Sequence, residues 1–290
     1  MSGNAPRERR YAAQDGLQLF FNDWGEPDWP ATPVLCLPGL TRNSRDFAGL
    51  ARRLSHPAQP RPRRVIAPDL RGRGRSAYDP DWRNYNARTY LDDIRHLLTL
   101  LGIERVIVVG VSMGGLLGMA MATAMPTVLA GLVINDIGPT VDSGGSGRIL
   151  NYVSADRPQP DWPSAAQHLR KMLPTLSLRG EDEWLEFARA TFREGGDGLL
   201  HFDWDTNLVR PLGREMSSGV DLWALWRALG RKPALVIRGG LSDILSQATL
   251  ARMVVEKPDL RQFTLPGVGH APTLNEPPVR EVMDDFLSQL

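Results

Sequence analysis

Short apolar runs recur along this chain at residues 34–37, 64–67, 105–109, 132–135 and 234–238, several of them bounded by Gly or Pro. Runs of that length, without polar alternation, read as strands buried on both faces. Between them lie segments with helical spacing, at residues 44–54, 87–101 and 246–255. Regular alternation of buried strand and helix forces parallel strands joined by right-handed crossovers, which predicts an open, doubly wound α/β sheet covered by helices on both faces. In such a sheet ligands bind beyond the carboxyl ends of the strands. The first thirty residues differ: residues 11–13 and 17–24 flank Asp15-Gly16, a hairpin turn, and predict an antiparallel edge.

One interval breaks the rhythm. Roughly a hundred positions separate Asn135 from Pro233, about three times the length of an ordinary strand–helix–strand unit. An insertion is therefore expected, opening on the hinge-like stretch 138–146 and carrying helices near 164–173 and 182–192. The division that follows is a core of residues 1–137 and 216–290 with a helical lid at 138–215. Trp162, Trp184, Trp204, Trp223 and Trp226 all fall between the flanking strands. They supply either the insertion's own small core or an apolar roof over a cleft.

Composition narrows the function classes. The net charge of +1 gives no strong field for a nucleic-acid partner, and 42% hydrophobic residues with 23% charged describe a globular chain. The eight arginines between 52 and 75 are broken by Pro57, Pro60, Pro62 and Pro68 with no interleaved aromatic, so they read as solvated or structural rather than as a nucleic-acid patch. The single cysteine, Cys36, cannot form an internal disulfide, and no Cys/His spacing suits a metal. The polar amino-terminal stretch lacks a secretory pattern and no apolar tract is long enough to span a bilayer, so a cytoplasmic location is expected. Gly72-Arg73-Gly74 lacks the third glycine of a dinucleotide fingerprint and there is no P-loop; the chemistry is expected to need no cofactor.

That chemistry centres on Gly110-Val111-Ser112-Met113-Gly114. A serine on a sharp strand-to-helix turn is held in strained backbone, and the residues two places either side must lack a bulky Cβ. Gly115 and Gly118 let the helix approach the sheet closely, and its positive dipole end faces the serine. A serine hydroxyl needs a base. His56 sits in a Pro/Arg-rich loop, His96 on a charged helix face, and His168 and His201 in the insertion. His270 follows a last strand at 260–265, in a glycine-flanked loop before a terminal helix starting near Glu276, at the same end of the sheet as Ser112. The base in turn needs a carboxylate, for which Asp243, after the strand 234–238, and Asp136, after the strand 132–135, compete.

With these residues in place the chain resembles the α/β-hydrolase superfamily. The matching pieces run in family order: Leu37-Pro38-Gly39-Leu40, Asp69-Leu70-Arg71-Gly72-Arg73-Gly74-Arg75-Ser76, the turn at Ser112, Arg238-Gly239-Gly240-Leu241-Ser242-Asp243, and Gly267-Val268-Gly269-His270. The resemblance implies a sheet of about eight strands with a cap between the sixth and seventh main strands, where the long interval falls. It favours Asp243 as the triad acid, leaving Asp136 as a hinge or pocket residue, and aligns Leu40 with one backbone oxyanion donor, Met113 being the other. Pro38-Gly39 stands where His-Gly is usual in that loop.

The expected activity is cleavage of a small carboxylic ester or lactone through an acyl-enzyme on Ser112, with His270 moving the proton and Asp243 orienting His270. Serine at position 112 argues against the family's dehalogenases and epoxide hydrolases, which carry aspartate there. A carbon–carbon bond hydrolase of a diketone-like ring-cleavage product, a perhydrolase and a non-catalytic ligand-binding receptor share the same framework. The tryptophans and the lack of a local charged pocket motif point to an apolar acyl or aromatic substrate.

Overall fold

The computed structural model describes residues 5–141, 152–211 and 220–290. Eight strands form one sheet: β1 (Arg7–Ala12), β2 (Gln18–Trp24), β3 (Val34–Leu37), β4 (Val65–Asp69), β5 (Val106–Val111), β6 (Leu129–Asn135), and two later strands, Ala234–Gly239 and Arg261–Leu265. Between β6 and those last two lies a small antiparallel ribbon, β7 (Phe192–Glu194) with β8 (Leu200–Phe202), so the closing strands are β9 and β10. The spatial order is β1-β2-β4-β3-β5-β6-β9-β10. β1 and β2 pair antiparallel through the turn at Gly16, whose φ of +85° suits glycine, and the strands from β4 onward are parallel. The doubly wound, mostly parallel sheet expected from the alternation is the observed fold.

Side-chain alternation along the central strands builds two cores. Leu35 and Leu37 of β3, Val106 and Val108 of β5, and Leu132 and Ile134 of β6 face one layer; Val34, Cys36, Ile107, Val109 and Val133 face the other. The first layer is closed by α2 (Ala87–Leu100), α3 (Met113–Ala124) and the insertion, the second by α1 (Ala48–Leu54) and the last helix of the chain. α2 shows why a segment in which half the residues are polar is helical. Tyr90, Leu91, Ile94, Leu97 and Leu98 fall on one buried face, and the Asn86 side chain caps the amino end by accepting from the Thr89 amide, a contribution of about 1 kcal/mol.

The insertion carries α4 (Trp162–Met172) and α5 (Glu181–Thr191), packed together, then the β7–β8 ribbon. After it come α6 (Leu222–Arg227), β9, α7 (Gln247–Glu256), β10 and α8 (Pro277–Ser288). Trp184, Trp204 and Trp226 are buried, with Trp204 stacked on Phe202 at 4.1 Å and Phe202 on Phe192 at 4.7 Å. Most of the expected hinge stretch 138–146 and the expected lid boundary at 215 lie outside the described residues. Among the described residues no helix is long and apolar enough to cross a membrane.

Candidate active site

Strand register explains how distant residues meet. Val111 at the end of β5 lies opposite Asn135 at the end of β6, and Asn135 lies opposite Ile237 of β9. Ser112 and Asp136 are the next residues on adjacent strands. Their backbones stay tied to the sheet: the Ser112 amide donates to Asn135 O at 2.9 Å and the Asp136 amide to Ile237 O at 2.8 Å. Both then turn off the sheet through left-handed backbone, φ +51° at Ser112 and +61° at Asp136. Strain of this kind, in non-glycine residues, persists only where the surroundings over-determine it.

The surroundings of Ser112 do so. A Cβ on Gly110 would fall inside contact distance of the Gly114 backbone, and one on Gly114 would collide with the Leu37 carbonyl. Gly115 and Gly118 would press on Ile137 at 2.6 Å and Leu132 at 2.5 Å. The turn therefore closes because α3 lies directly on β3, β5 and β6.

His270 arrives from the other side, on the loop after β10. That loop is pinned to the sheet by Asn135 Nδ2, which donates to Pro272 O at 2.7 Å, and to the insertion by the Gly269 amide, which donates to Thr175 O at 2.8 Å. Its Nδ1 lies 2.7 Å from Asp136 Oδ2 and its Nε2 lies 2.9 Å from Ser112 Oγ. An ionised carboxylate only accepts, so Nδ1 carries the proton and Nε2 is left to accept from the serine hydroxyl. Asp136 is wholly buried, and its second oxygen accepts from the Gly239 amide at 2.8 Å. This arrangement can take a proton from Ser112, hold it on the imidazole beside a fixed negative charge, and return it to a leaving group.

The expectation that Asp243 holds His270 is corrected here. Asp243 sits half-buried beyond the end of β9, while Asp136, one residue past β6, occupies Nδ1. The glycines of the 238–243 segment matter in a different way: Gly239 donates its amide to Asp136, and a side chain there would collide with the Gly269 carbonyl, next to His270. The sequence places both carboxylates at the carboxyl ends of their strands and the resemblance favours the one after β9, whereas the one after β6 reaches His270.

Leu40 follows β3 and lines the same cleft as Ser112, and Met113, next after Ser112, begins α3. Among the described residues neither backbone amide donates to another backbone carbonyl; for Met113 this follows from its place at the start of a helix. Three of the other four histidines are engaged elsewhere, and the fourth, His168, lies near the Phe202 ring in the insertion. His56 Nδ1 accepts from the Ala58 amide, His96 lies against the Tyr11 ring, and His201 is clamped between Asp156 and Asp197. In the segment after β4, Asp69 accepts from the amides of Ser44 and Arg75, while Arg71 is buried against Asp93, Asp79 and Asp15.

Ser112 and His270 open onto a cleft of about 580 Å³ between the loop after β3, the α5 region and the loop before α8. None of the five insertion-region tryptophans lines it, so of the two readings the roof over the cleft is the one not found; the apolar lining comes from Tyr152, Leu173, Leu176 and Phe187. Nor is the lining free of charge. Arg42 spans it, forked onto Asp46 at 2.7 and 2.5 Å, donating to Thr191 Oγ1 at 2.5 Å and lying 4.1 Å over the Phe187 ring. Burial pushes the Tyr152 phenol up to about 12, against the pull of the neighbouring Arg42 charge. Arg179 and Arg280 also line the cleft, without an ion-pair partner among the described residues. These charges come from three separate stretches of chain, which is why no local motif announced them.

Comparison with known proteins identifies the family. A family model described as the alpha/beta hydrolase family matches residues 34–284. The chain is 31% identical over 280 residues to the 3-hydroxybutyrate-oligomer hydrolase of Cupriavidus necator, covering 93% of each. It is 27% identical over 238 residues to the 2-(acetamidomethylene)succinate hydrolase of Mesorhizobium japonicum, covering 82% of this chain and 81% of that one. A crystal structure of an alpha/beta hydrolase from Novosphingobium aromaticivorans superposes with a TM-score of 0.91 at 39% identity, covering 99% of both chains. The chain belongs to the alpha/beta hydrolase family.

Proposed function

We propose that this hydrolase cleaves a short carboxylic ester through an acyl-enzyme on Ser112. The reading is carried by the hydrogen-bonded chain from Ser112 Oγ through His270 to Asp136, opening on a cleft. His270 Nε2 takes the Ser112 proton as Oγ bonds to the carbonyl carbon. The same proton passes to the leaving alkoxide as the ester bond breaks. Water, deprotonated by the same imidazole, then attacks the acyl carbon, and Oγ leaves with the proton. The Leu40 and Met113 amides hold the oxyanion in both tetrahedral intermediates, where each donor lowers the barrier by roughly 3–4 kcal/mol. Residues 138–215 act as the cap over this site.

For the substrate we favour short linear oligoesters of a hydroxy acid. A relative of nearly equal length bears the name of a 3-hydroxybutyrate-oligomer hydrolase. A cleft of about 580 Å³ lies within the range that encloses a small organic molecule, and Arg179 and Arg280 suit a terminal carboxylate. The test compares steady-state hydrolysis of 3-hydroxybutyrate dimer and trimer, p-nitrophenyl butyrate, a lactone and a vinylogous diketone. Oligoester turnover with the highest kcat/KM, lost in Ser112→Ala, supports the proposal. Preference for the diketone, or turnover that survives in Ser112→Ala, refutes it.

A further inference from the structure

Arg73 has no solvent exposure, yet among the described residues its guanidinium pairs with no carboxylate. Its hydrogen-bond acceptors are all neutral. Nε donates to Leu40 O at 2.6 Å, Nη1 to Arg71 O at 2.6 Å and to the Tyr90 hydroxyl at 2.9 Å, and Nη2 to Met113 Sδ at 3.8 Å; the group also lies 4.9 Å from the Tyr90 ring centroid. The buried carboxylates near it in sequence or across the insertion are committed elsewhere. Asp69 accepts from the Ser44 and Arg75 amides, and Asp205 from the Tyr85 hydroxyl and Asn207. A desolvated cation facing only dipoles is expensive to keep.

Two of its four partners are Leu40 and Met113, the residues proposed above to supply the oxyanion amides. We propose that Arg73 is the positioning residue of the oxyanion site. By gripping Leu40 through its carbonyl and Met113 through its sulfur, one rigid guanidinium sets the spacing of the two amides. The negative charge that develops between them is the counter-ion the resting site lacks. The insertion holds Arg73 in turn: Trp204 pairs with it across an antiparallel bridge, the Gly74 amide donates to Asp203 O at 2.9 Å and the Asp205 amide to Gly72 O at 2.8 Å. The inference rests on the serine-hydrolase reading of Ser112.

The test uses the full chain with Arg73→Gln and Arg73→Lys, circular dichroism to verify folding, stopped-flow acylation by p-nitrophenyl butyrate, and inhibition by an alkyl trifluoromethyl ketone, which forms an oxyanion on the serine. For Arg73→Gln the acylation rate is expected to fall about a hundredfold with KM within twofold, and the ketone's affinity to fall by the same factor. Arg73→Lys keeps the charge but not the fork; it is expected to lose about tenfold, and it carries the test if the glutamine variant does not fold. A folded variant with wild-type acylation, or one in which KM absorbs the loss while the ketone binds as before, overturns the proposal. Fluorophosphonate labelling of Ser112 in the wild type separates the two levels. Normal labelling with unaltered variant rates overturns the Arg73 role alone, and failure to label overturns the underlying reading together with it.

Discussion

Asp136 Oδ2 and His270 Nδ1 lie 2.7 Å apart although 134 positions separate them in the chain, and the aspartate reaches the histidine from β6, the neighbour of the strand that carries Ser112. Because a carboxylate at this place fixes the imidazole tautomer and stabilises its protonated form, Asp136→Asn is expected to lower kcat by about a thousand- to ten-thousandfold with an unchanged circular dichroism spectrum. Asp243→Asn is expected to retain activity within a few-fold. Steady-state kinetics on both variants decide the matter; the opposite ranking would return the role to Asp243.

Gly114 sits where a Cβ would meet the Leu37 carbonyl, which is backbone of a central strand and cannot give way. Gly114→Ala is therefore expected to destabilise the chain by about 1–3 kcal/mol and to displace Ser112 as well. Urea denaturation midpoints together with fluorophosphonate labelling rates would read both effects. A variant of wild-type stability would contradict the close packing of α3 on β3.

His201 lies outside the cleft, its ring held by Asp156 at 2.5 Å and by Asp197 at 3.0 Å, and those carboxylates raise its pKa above 6.5. A raised value means the folded state holds the proton more tightly than the unfolded chain. The stabilisation is therefore complete below about 6.5 and disappears as pH rises through the folded-state value. The difference in melting temperature between wild type and His201→Gln is expected to be larger at pH 5.5 than at pH 9. A difference that does not change with pH would remove the clamp from the account.

Much of this was legible in the sequence for definite physical reasons. β3, β5 and β9 are buried on both faces and so are written as continuous apolar runs, and the crowding around Ser112 demands the glycines that mark it. His270 was distinguishable because it alone among the histidines stands in a glycine-flanked loop after the last strand. Asp136 and Asp243 were not separable in the same way. Both follow apolar strands, and only the register of β6 against β5 and β9 sends Asp136 toward His270. Arg42, Arg73, Arg179 and Arg280 were invisible as site residues because their meaning depends on which carboxylates, carbonyls and rings surround them once the chain is folded.

The most direct measurement is tandem mass spectrometry of the enzyme after brief exposure to a fluorophosphonate, run on wild type, Ser112→Ala and Asp136→Asn. The account predicts stoichiometric modification at Ser112 in the wild type, none in Ser112→Ala, and labelling slowed by orders of magnitude in Asp136→Asn. Rapid modification of a different residue, or an Asp136→Asn protein that labels at the wild-type rate, would contradict it.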